Sequence, residues 1–211
     1  DNLIRPGNLV IDLGSAPGSW TQVAAKLAGK TGVVVASDIL EMKPVHGVAF
    51  IKGDFTDDSV RGEIALALAS RRADVILSDM APNMSGNKII DQGRHFYLVE
   101  LALTMADDWL RTGGSAVVKC FRGDGFEECQ ASMSILFREV YVRKPAASRG
   151  RSDEIFLVGL GFGLPNENRV LIESEKKAQS EVPGKDVQLK KKDKEMINDM
   201  YDDDDGPAYA W

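Results

Sequence analysis

Cysteine and histidine are scarce in this 211-residue sequence: Cys120, Cys129, His46 and His95 are the whole supply. Two cysteines provide neither a disulfide scaffold nor a cysteine-built zinc cluster, and the ordinary domain sequence around them reads as reduced thiol. No motif ties either histidine to the acidic positions described below, so no metal site is expected. The sequence shows no run of 18 apolar residues and no signal-peptide pattern, which predicts a cytoplasmic protein with no membrane partner. An excess of positive charge is also missing. The formal net charge of -6 argues against strong bulk attraction to nucleic acid. The sequence begins at Asp1 rather than Met, and the natural chain is expected to begin earlier.

What is present is a regular alternation of apolar strands and amphipathic helices. Apolar residues make up 44% of the chain, enough for one substantial core. Strands are expected at Leu9 to Leu13, Val33 to Ala36, Val48 to Ile51, Asp74 to Asp79, Ser115 to Cys120, Val140 to Arg143 and Glu154 to Gly159. Helices are expected from Trp20 to Leu27, over 58–70, over 93–110 and from Phe126 to Phe137. In the first helix Val23, Ala24 and Leu27 are read as the inward side; in the second, Val60, Ile64, Ala67 and Leu68. Apolar strands covered on both faces predict an α/β fold with an open, mostly parallel sheet. The last two strands are too closely spaced for an intervening helix, which predicts one late antiparallel strand.

The texture changes near Leu164. Residues 164–211 contain 8 basic and 12 acidic residues. They carry -4 of the formal charge and leave -2 for residues 1–163. The expected organisation is a single domain over 1–163, followed by a charged, flexible extension over 164–211. With the acidity concentrated in the extension, the charge objection to a nucleic-acid substrate weakens.

The most informative stretch is Asp12-Leu13-Gly14-Ser15-Ala16-Pro17-Gly18-Ser19-Trp20, a strand entering a glycine-rich turn that opens a helix. It lacks the Gly-x-Gly-x-x-Gly of dinucleotide sites, and no Gly-x-x-x-x-Gly-Lys-Ser/Thr run marks a P-loop. Small residues at Gly14, Ala16 and Gly18 let a ligand approach the backbone, and Pro17 stiffens the turn. Asp38 follows the second strand, where a carboxylate can bond ribose hydroxyls. Asp54 follows the third strand, within reach of an adenine amino group, and Asp79 follows the fourth. A site with these acids and no pyrophosphate cradle suits a nucleoside cofactor such as S-adenosylmethionine. Trp20 is placed either against that cofactor or over the sheet edge. Lys119 closes an apolar strand, an unusual position for a lysine, and Glu154 opens a neighbouring one.

These residues resemble the FtsJ/RrmJ family of S-adenosylmethionine-dependent RNA ribose 2'-O-methyltransferases. The resemblance covers about residues 3–160 and rests on five stretches. They are Asp12 to Trp20, Ser78-Asp79-Met80-Ala81-Pro82-Asn83-Met84-Ser85-Gly86, Gly114-Ser115-Ala116-Val117-Val118-Lys119, Arg143-Lys144-Pro145, and Ser148-Arg149. It implies a Rossmann-like class I methyltransferase fold. It also implies cofactor contacts from Gly18, Trp20, Asp38, Asp54 and Asp79. Asp79, Lys119 and Glu154 match the last three members of the family's Lys-Asp-Lys-Glu constellation. Lys119 would activate or position the 2'-hydroxyl, while the carboxylates hold the lysines and the substrate. The family's first lysine lies in a helix ahead of the first strand; it is expected upstream of Asp1, and without it methyl transfer would be impaired.

Arg122, Arg143, Lys144, Arg149 and Arg151 are candidates for gripping RNA phosphates, and Asn83 to Asn87 is read as a mobile loop over the substrate. The resemblance implies a monomer acting on large-subunit (23S) rRNA, most closely on a uridine within the large ribosomal subunit. Two alternatives stand beside this reading. One is a 2'-O-methyltransferase for mitochondrial rRNA, tRNA or an mRNA cap. The other is a catalytically silent RNA- or ribosome-binding module.

Overall fold

A computed structural model describes residues 2–123, 125–145 and 153–165. The chain divides into two units, Asp1–Arg169 and Val170–Trp211, and every described residue belongs to the first. In chain order the elements are β1 (Leu9–Leu13), α1 (Ser19–Ala28), β2 (Val33–Asp38), β3 (Val48–Lys52), α2 (Asp58–Leu68) and β4 (Ala73–Ser78). They continue with α3 (Lys88–Trp109), β5 (Leu110–Phe121), α4 (Phe126–Leu136), β6 (Phe137–Arg143) and β7 (Glu154–Phe162).

The seven strands form one sheet in the order β3-β2-β1-β4-β5-β7-β6. From β3 to β5 neighbouring strands are parallel. β7 runs antiparallel to both β5 and β6, in agreement with the late antiparallel strand expected from the sequence. This reversal positions the site. The first residue of β7, Glu154, lies opposite Phe121 at the same sheet edge where the parallel strands end.

β1 is buried at all five positions because it has a strand on each side and helices over both faces. Its alternate residues feed two cores. Leu9, Ile11 and Leu13 pack with α2, α3 and α4, while Val10 packs with Ala24 and Ala28 of α1. The expected inward side of α1 needs correction. Thr21, Ala24 and Ala28 are buried, whereas Val23 and Leu27 are 57% and 47% exposed. Small side chains let the helix lie close on the sheet, and close approach outweighs side-chain size here. In α2 the expected inward residues Val60, Ile64 and Leu68 are buried and Ala67 is partly so.

α3 starts earlier than its apolar pattern indicates. The Asn87 side chain caps it by accepting from the Ile89 amide at 3.1 Å. Its other end also differs: β5 begins directly at Leu110, and Gly113 and Gly114 lie inside the strand. The β4–β5 register jumps between Ala73, opposite Leu110, and Val75, opposite Ser115. Among the described residues no helix is long and apolar enough to cross a membrane.

Candidate functional site

The turn after β1 is braced by β2. The Gly14 and Ser15 amides donate to the Ser37 carbonyl at 3.0 and 3.2 Å. Asp38 accepts from the Ala16 amide on Oδ2 and from the Leu40 amide on Oδ1, both at 2.8 Å. Asp38 therefore fixes the shape of the turn, and each of its oxygens keeps a second lone pair for another donor. The Ala16–Pro17 peptide is cis. Gly18, at φ 106°, is the N-cap of α1. Gly14, at φ 70°, has the Met80 Cγ 2.7 Å from where a Cβ would stand. A side chain there would push into the segment that follows β4.

Asp12 lies beneath this turn, fully buried, and its Oδ2 accepts from the Thr21 hydroxyl at 2.6 Å. Its Oδ1 has no partner among the described residues, and the same holds for the buried Ser15 and Ser37 hydroxyls. Burial raises the Asp12 carboxyl from its ordinary value near 3.8 to about 6, against the Thr21 hydrogen bond, with smaller contributions from Asp79 and Asp38. The fold thus favours the neutral acid. The stability this group contributes is present below its unfolded pKa and is lost as the pH rises through about 6. A shift of this size corresponds to ~3 kcal/mol. Between pH 3 and 7.5, wild type is expected to lose about that much more unfolding free energy than Asp12→Asn, measured by urea titration. Equal pH dependence in the two proteins would show that Asp12 ionises like a surface carboxylate.

Asp54, two residues beyond β3, is exposed and folds onto its own loop, with Oδ1 accepting from the Thr56 amide at 2.9 Å and hydroxyl at 2.7 Å. The Trp20 ring lies against Phe156 of β7, with centroids 5.1 Å apart.

The structure brings Lys119, Asp79 and Glu154 together. Lys119 Nζ is 3.1 Å from Asp79 Oδ1 and 3.5 Å from Glu154 Oε2, and it donates to the Asp79 carbonyl at 3.4 Å. The Lys119 side chain is 13% exposed, against 34% for Asp79 and 30% for Glu154. Three strands contribute to the cluster: β5 ends with Lys119 near its edge, Asp79 follows β4, and Glu154 opens β7. Two strands away, Arg143 shares a register row with Lys119 through Phe156. Strand spacing puts the two Cα positions about 10 Å apart. The exposed Arg143 guanidinium lies 4.8 Å from the Tyr141 ring centre, and Lys144 follows it at the surface. Arg149 and Arg151 lie outside the described residues, as does almost all of the extension over 164–211.

Beyond Lys119, Arg122, Phe121 and Asp153 line a cleft of about 330 Å³, together with Pro82, Met84, Gly86 and Asp91. The loop over 83–87 is tethered. Asp91 accepts from the Ser85 amide and hydroxyl, both at 2.7 Å, and from the Gly86 amide at 3.1 Å. These bonds hold the Asp91 carboxyl below its usual range, the Ser85 amide contributing most.

His95, Cys120 and Cys129 also converge, although nothing in their spacing links them. They come from α3, β5 and α4, and all three are buried. The contact with Cys129 draws the Cys120 thiol down against its burial, with His95 adding to the effect; the same contact pushes Cys129 up.

The comparisons agree with this geometry. Residues 1–162 match the family model of the FtsJ-like methyltransferases. The chain is 54% identical over 159 residues to the ribosomal RNA large subunit methyltransferase E of Neisseria meningitidis serogroup C, covering 75% of this chain and 77% of that one. To the protein of the same name from Cellvibrio japonicus it is 53% identical over 162 residues, 77% of each chain. A crystal structure of a Plasmodium falciparum protein described as a ribosomal RNA methyltransferase aligns with a TM-score of 0.66 at 29% identity. That alignment covers 75% of this chain and 88% of the other. The sheet is therefore that of a Rossmann-like class I methyltransferase, and this chain belongs to the FtsJ-like methyltransferase family.

Proposed function

We propose that this protein transfers a methyl group from S-adenosylmethionine to a ribose 2'-hydroxyl of large-subunit (23S) rRNA, at a uridine, acting as a cytoplasmic monomer. The observation that carries the reading is the Lys119 ammonium head held between Asp79 and Glu154 at the sheet edge that also bears the Gly14–Gly18 turn.

The residues at the turn fit the cofactor. Gly14 and Gly18, both at positive φ and packed against Met80 and Met42, shape the turn on either side of Ala16 and Pro17. Three buried polar atoms around the same strand ends, Asp12 Oδ1, Ser15 Oγ and Ser37 Oγ, lack protein partners among the described residues. A nucleoside has the complementary hydroxyl and amino groups. Asp38 would accept from the ribose hydroxyls, Asp54 would approach the adenine, and Asp79 and Trp20 would close the methionine side. When bound, S-adenosylmethionine supplies a methyl group activated by its sulfonium charge.

The chain's own residues must align the hydroxyl and manage its proton. Alignment alone can contribute several kcal/mol. An ammonium has three N–H donors, and the three acceptors around Lys119 Nζ match that number. Two of the contacts are long, at 3.4 and 3.5 Å. A substrate hydroxyl would displace one of these and leave the 3.1 Å contact with Asp79 Oδ1 as the anchor. As the ammonium, Lys119 then stabilises negative charge developing on the oxygen; only as the neutral amine, having first given up a proton to solvent, would it accept the hydroxyl proton. Asp79 and Glu154 hold the lysine in place.

Arg122, Arg143 and Lys144 would grip RNA phosphates, with Arg149 and Arg151 proposed for the same role. Arg143→Ala is expected to weaken rRNA binding uniformly and to lower the slope of log K against log salt by about 0.7–0.9. Cofactor affinity should be unchanged. An unaltered salt slope would remove Arg143 from the RNA surface.

The test is methyl transfer by the protein as its cell makes it, with a panel of acceptors. Large ribosomal subunits should accept methyl groups, while small subunits, tRNA and capped mRNA should not. Transfer to tRNA or capped mRNA instead would move the substrate within the family. No transfer to any RNA would favour a silent binding module.

A further inference from the structure

The chain has four side chains that bind soft or borderline metal ions well, two cysteines and two histidines. Three of them meet at one buried point. His95 Nε2 is 3.5 Å from Cys120 Sγ, and the donor atoms of His95, Cys120 and Cys129 all lie within 4.8 Å of one another. Zinc bonds of about 2.3 Å to sulfur and 2.0–2.1 Å to nitrogen put tetrahedral donor–donor edges at about 3.6–3.8 Å. The observed spacing can close to such edges through small rotamer changes.

Two further observations set this cluster apart from a packed core histidine beside two inert thiols. The His95 side chain is more than nine-tenths buried, yet its Nδ1 has no hydrogen-bond partner among the described residues. With Nδ1 unpaired, no hydrogen bond among the described residues fixes the ring's tautomer, and a proton on Nδ1 leaves the Nε2 lone pair available to a metal. Its ring is held by an edge contact with Phe121, centroids 4.8 Å apart, which keeps Nε2 toward the sulfur. In addition, His95 and Cys129 line the cleft shared by Phe121, Arg122 and Asp153. A three-ligand site beside a cleft has an open side for a fourth, exchangeable ligand.

We propose that His95, Cys120 and Cys129 form a binding site for one divalent ion of the zinc class. Imidazole with two thiolates is a donor set that selects such ions over magnesium or calcium. The ion would tie α3, β5 and α4 together at the cleft wall. It would not take part in methyl transfer, because the site uses none of Asp79, Lys119 or Glu154. Nothing in the proposal depends on which RNA is methylated.

The experiment is a cobalt titration of the full chain after chelation and full reduction, followed by displacement with zinc. One equivalent of Co²⁺ should produce a thiolate-to-cobalt charge-transfer band in the near ultraviolet and the strong visible bands of tetrahedral cobalt; Zn²⁺ should abolish both. Within these 211 residues only Cys120 and Cys129 supply thiolates, and the variants below assign the band to this site. Cys120→Ala and Cys129→Ala should each lose most of the band, and His95→Gln should bind at least tenfold more weakly, with circular dichroism confirming that each variant is folded. Zinc should also raise the wild-type melting midpoint and leave that of folded Cys129→Ala unchanged. Absence of a charge-transfer band in the wild type would overturn the proposal even if a variant failed to fold. So would a band that survives in folded Cys129→Ala at full strength, or two cysteines found joined as a disulfide after isolation without reductant.

Discussion

Lys119→Ala is expected to lower the rate constant for methyl transfer by on the order of 10²–10⁴-fold, with cofactor and RNA affinities nearly unchanged. The loss belongs in kcat because Lys119 Nζ is held by acceptors at 3.1, 3.4 and 3.5 Å and acts on the reacting oxygen rather than on distant parts of either ligand. Misfolding should not explain it. The partners left behind, Asp79 and Glu154, are 34% and 30% exposed, so water can solvate them and the stability change should be small. Lys119→Arg sharpens the result. Arginine keeps the positive charge but cannot accept a proton in a protein. If Lys119 takes the hydroxyl proton, the arginine variant should be as slow as the alanine variant. If charge stabilisation dominates, arginine should recover part of the rate. A Lys119→Ala enzyme retaining a tenth of wild-type activity would remove Lys119 from the chemistry.

The second large effect is expected at Gly14. Its φ of 70° costs an alanine about 1–2 kcal/mol by itself. The new Cβ would also stand 2.7 Å from Met80 Cγ, 3.1 Å from the Met80 amide nitrogen and 3.2 Å from its Cα. The side chain can move, but the backbone contacts require the end of β4 to shift, at an overpacking cost of about 1–3 kcal/mol. Asp79 immediately precedes Met80, so that shift reaches the catalytic cluster. Gly14→Ala should therefore lose stability in urea titration and bind S-adenosylmethionine at least tenfold more weakly. Gly47→Ala is the matched control. Its φ is 76° and no atom lies within 4 Å of the added Cβ, so it should show the conformational cost alone. Equal destabilisation of the two would mean that the close approach at Gly14 carries no weight.

Much of this site was legible in the sequence because a parallel sheet places its chemistry at strand ends. The acid or lysine following an apolar run is easy to find, as Asp38, Asp79 and Lys119 show. Once β7 is recognised as antiparallel, Glu154 must come to the same edge, since the start of a reversed strand meets the ends of its neighbours. The alternation of apolar runs likewise located all seven strands.

The discrepancies have physical causes. In α1 the face turned to the sheet carries the small residues Thr21, Ala24 and Ala28, and a reading by hydrophobicity favours Val23 and Leu27 instead. The start of α3 depends on a cap and a clamp. Asn87 holds the Ile89 amide, while Asp91 holds Ser85 and Gly86. Neither interaction shows in an apolar pattern that begins later. Asp91 also bonds Ser85 and Gly86 of the loop read as mobile. Convergence of His95 with Cys120 and Cys129 was hidden for a different reason. Ligands from a long helix, a strand and a short helix carry no characteristic spacing, and only the packing of α3 and α4 over β5 brings them together.

The central claim is that the methyl group goes to a ribose oxygen of large-subunit rRNA under the control of Lys119. The most direct measurement uses methyl-labelled S-adenosylmethionine, purified large ribosomal subunits and the native protein, followed by alkaline hydrolysis of the 23S rRNA. A methylated 2'-oxygen blocks cleavage of the adjoining phosphodiester. The account predicts that the label is recovered in a single alkali-resistant dinucleotide whose 5' residue is uridine, and that Lys119→Ala forms it at least ~100-fold more slowly. Label recovered on a base in alkali-sensitive mononucleotides, or the same resistant dinucleotide formed by Lys119→Ala at a tenth of the wild-type rate or faster, would contradict it.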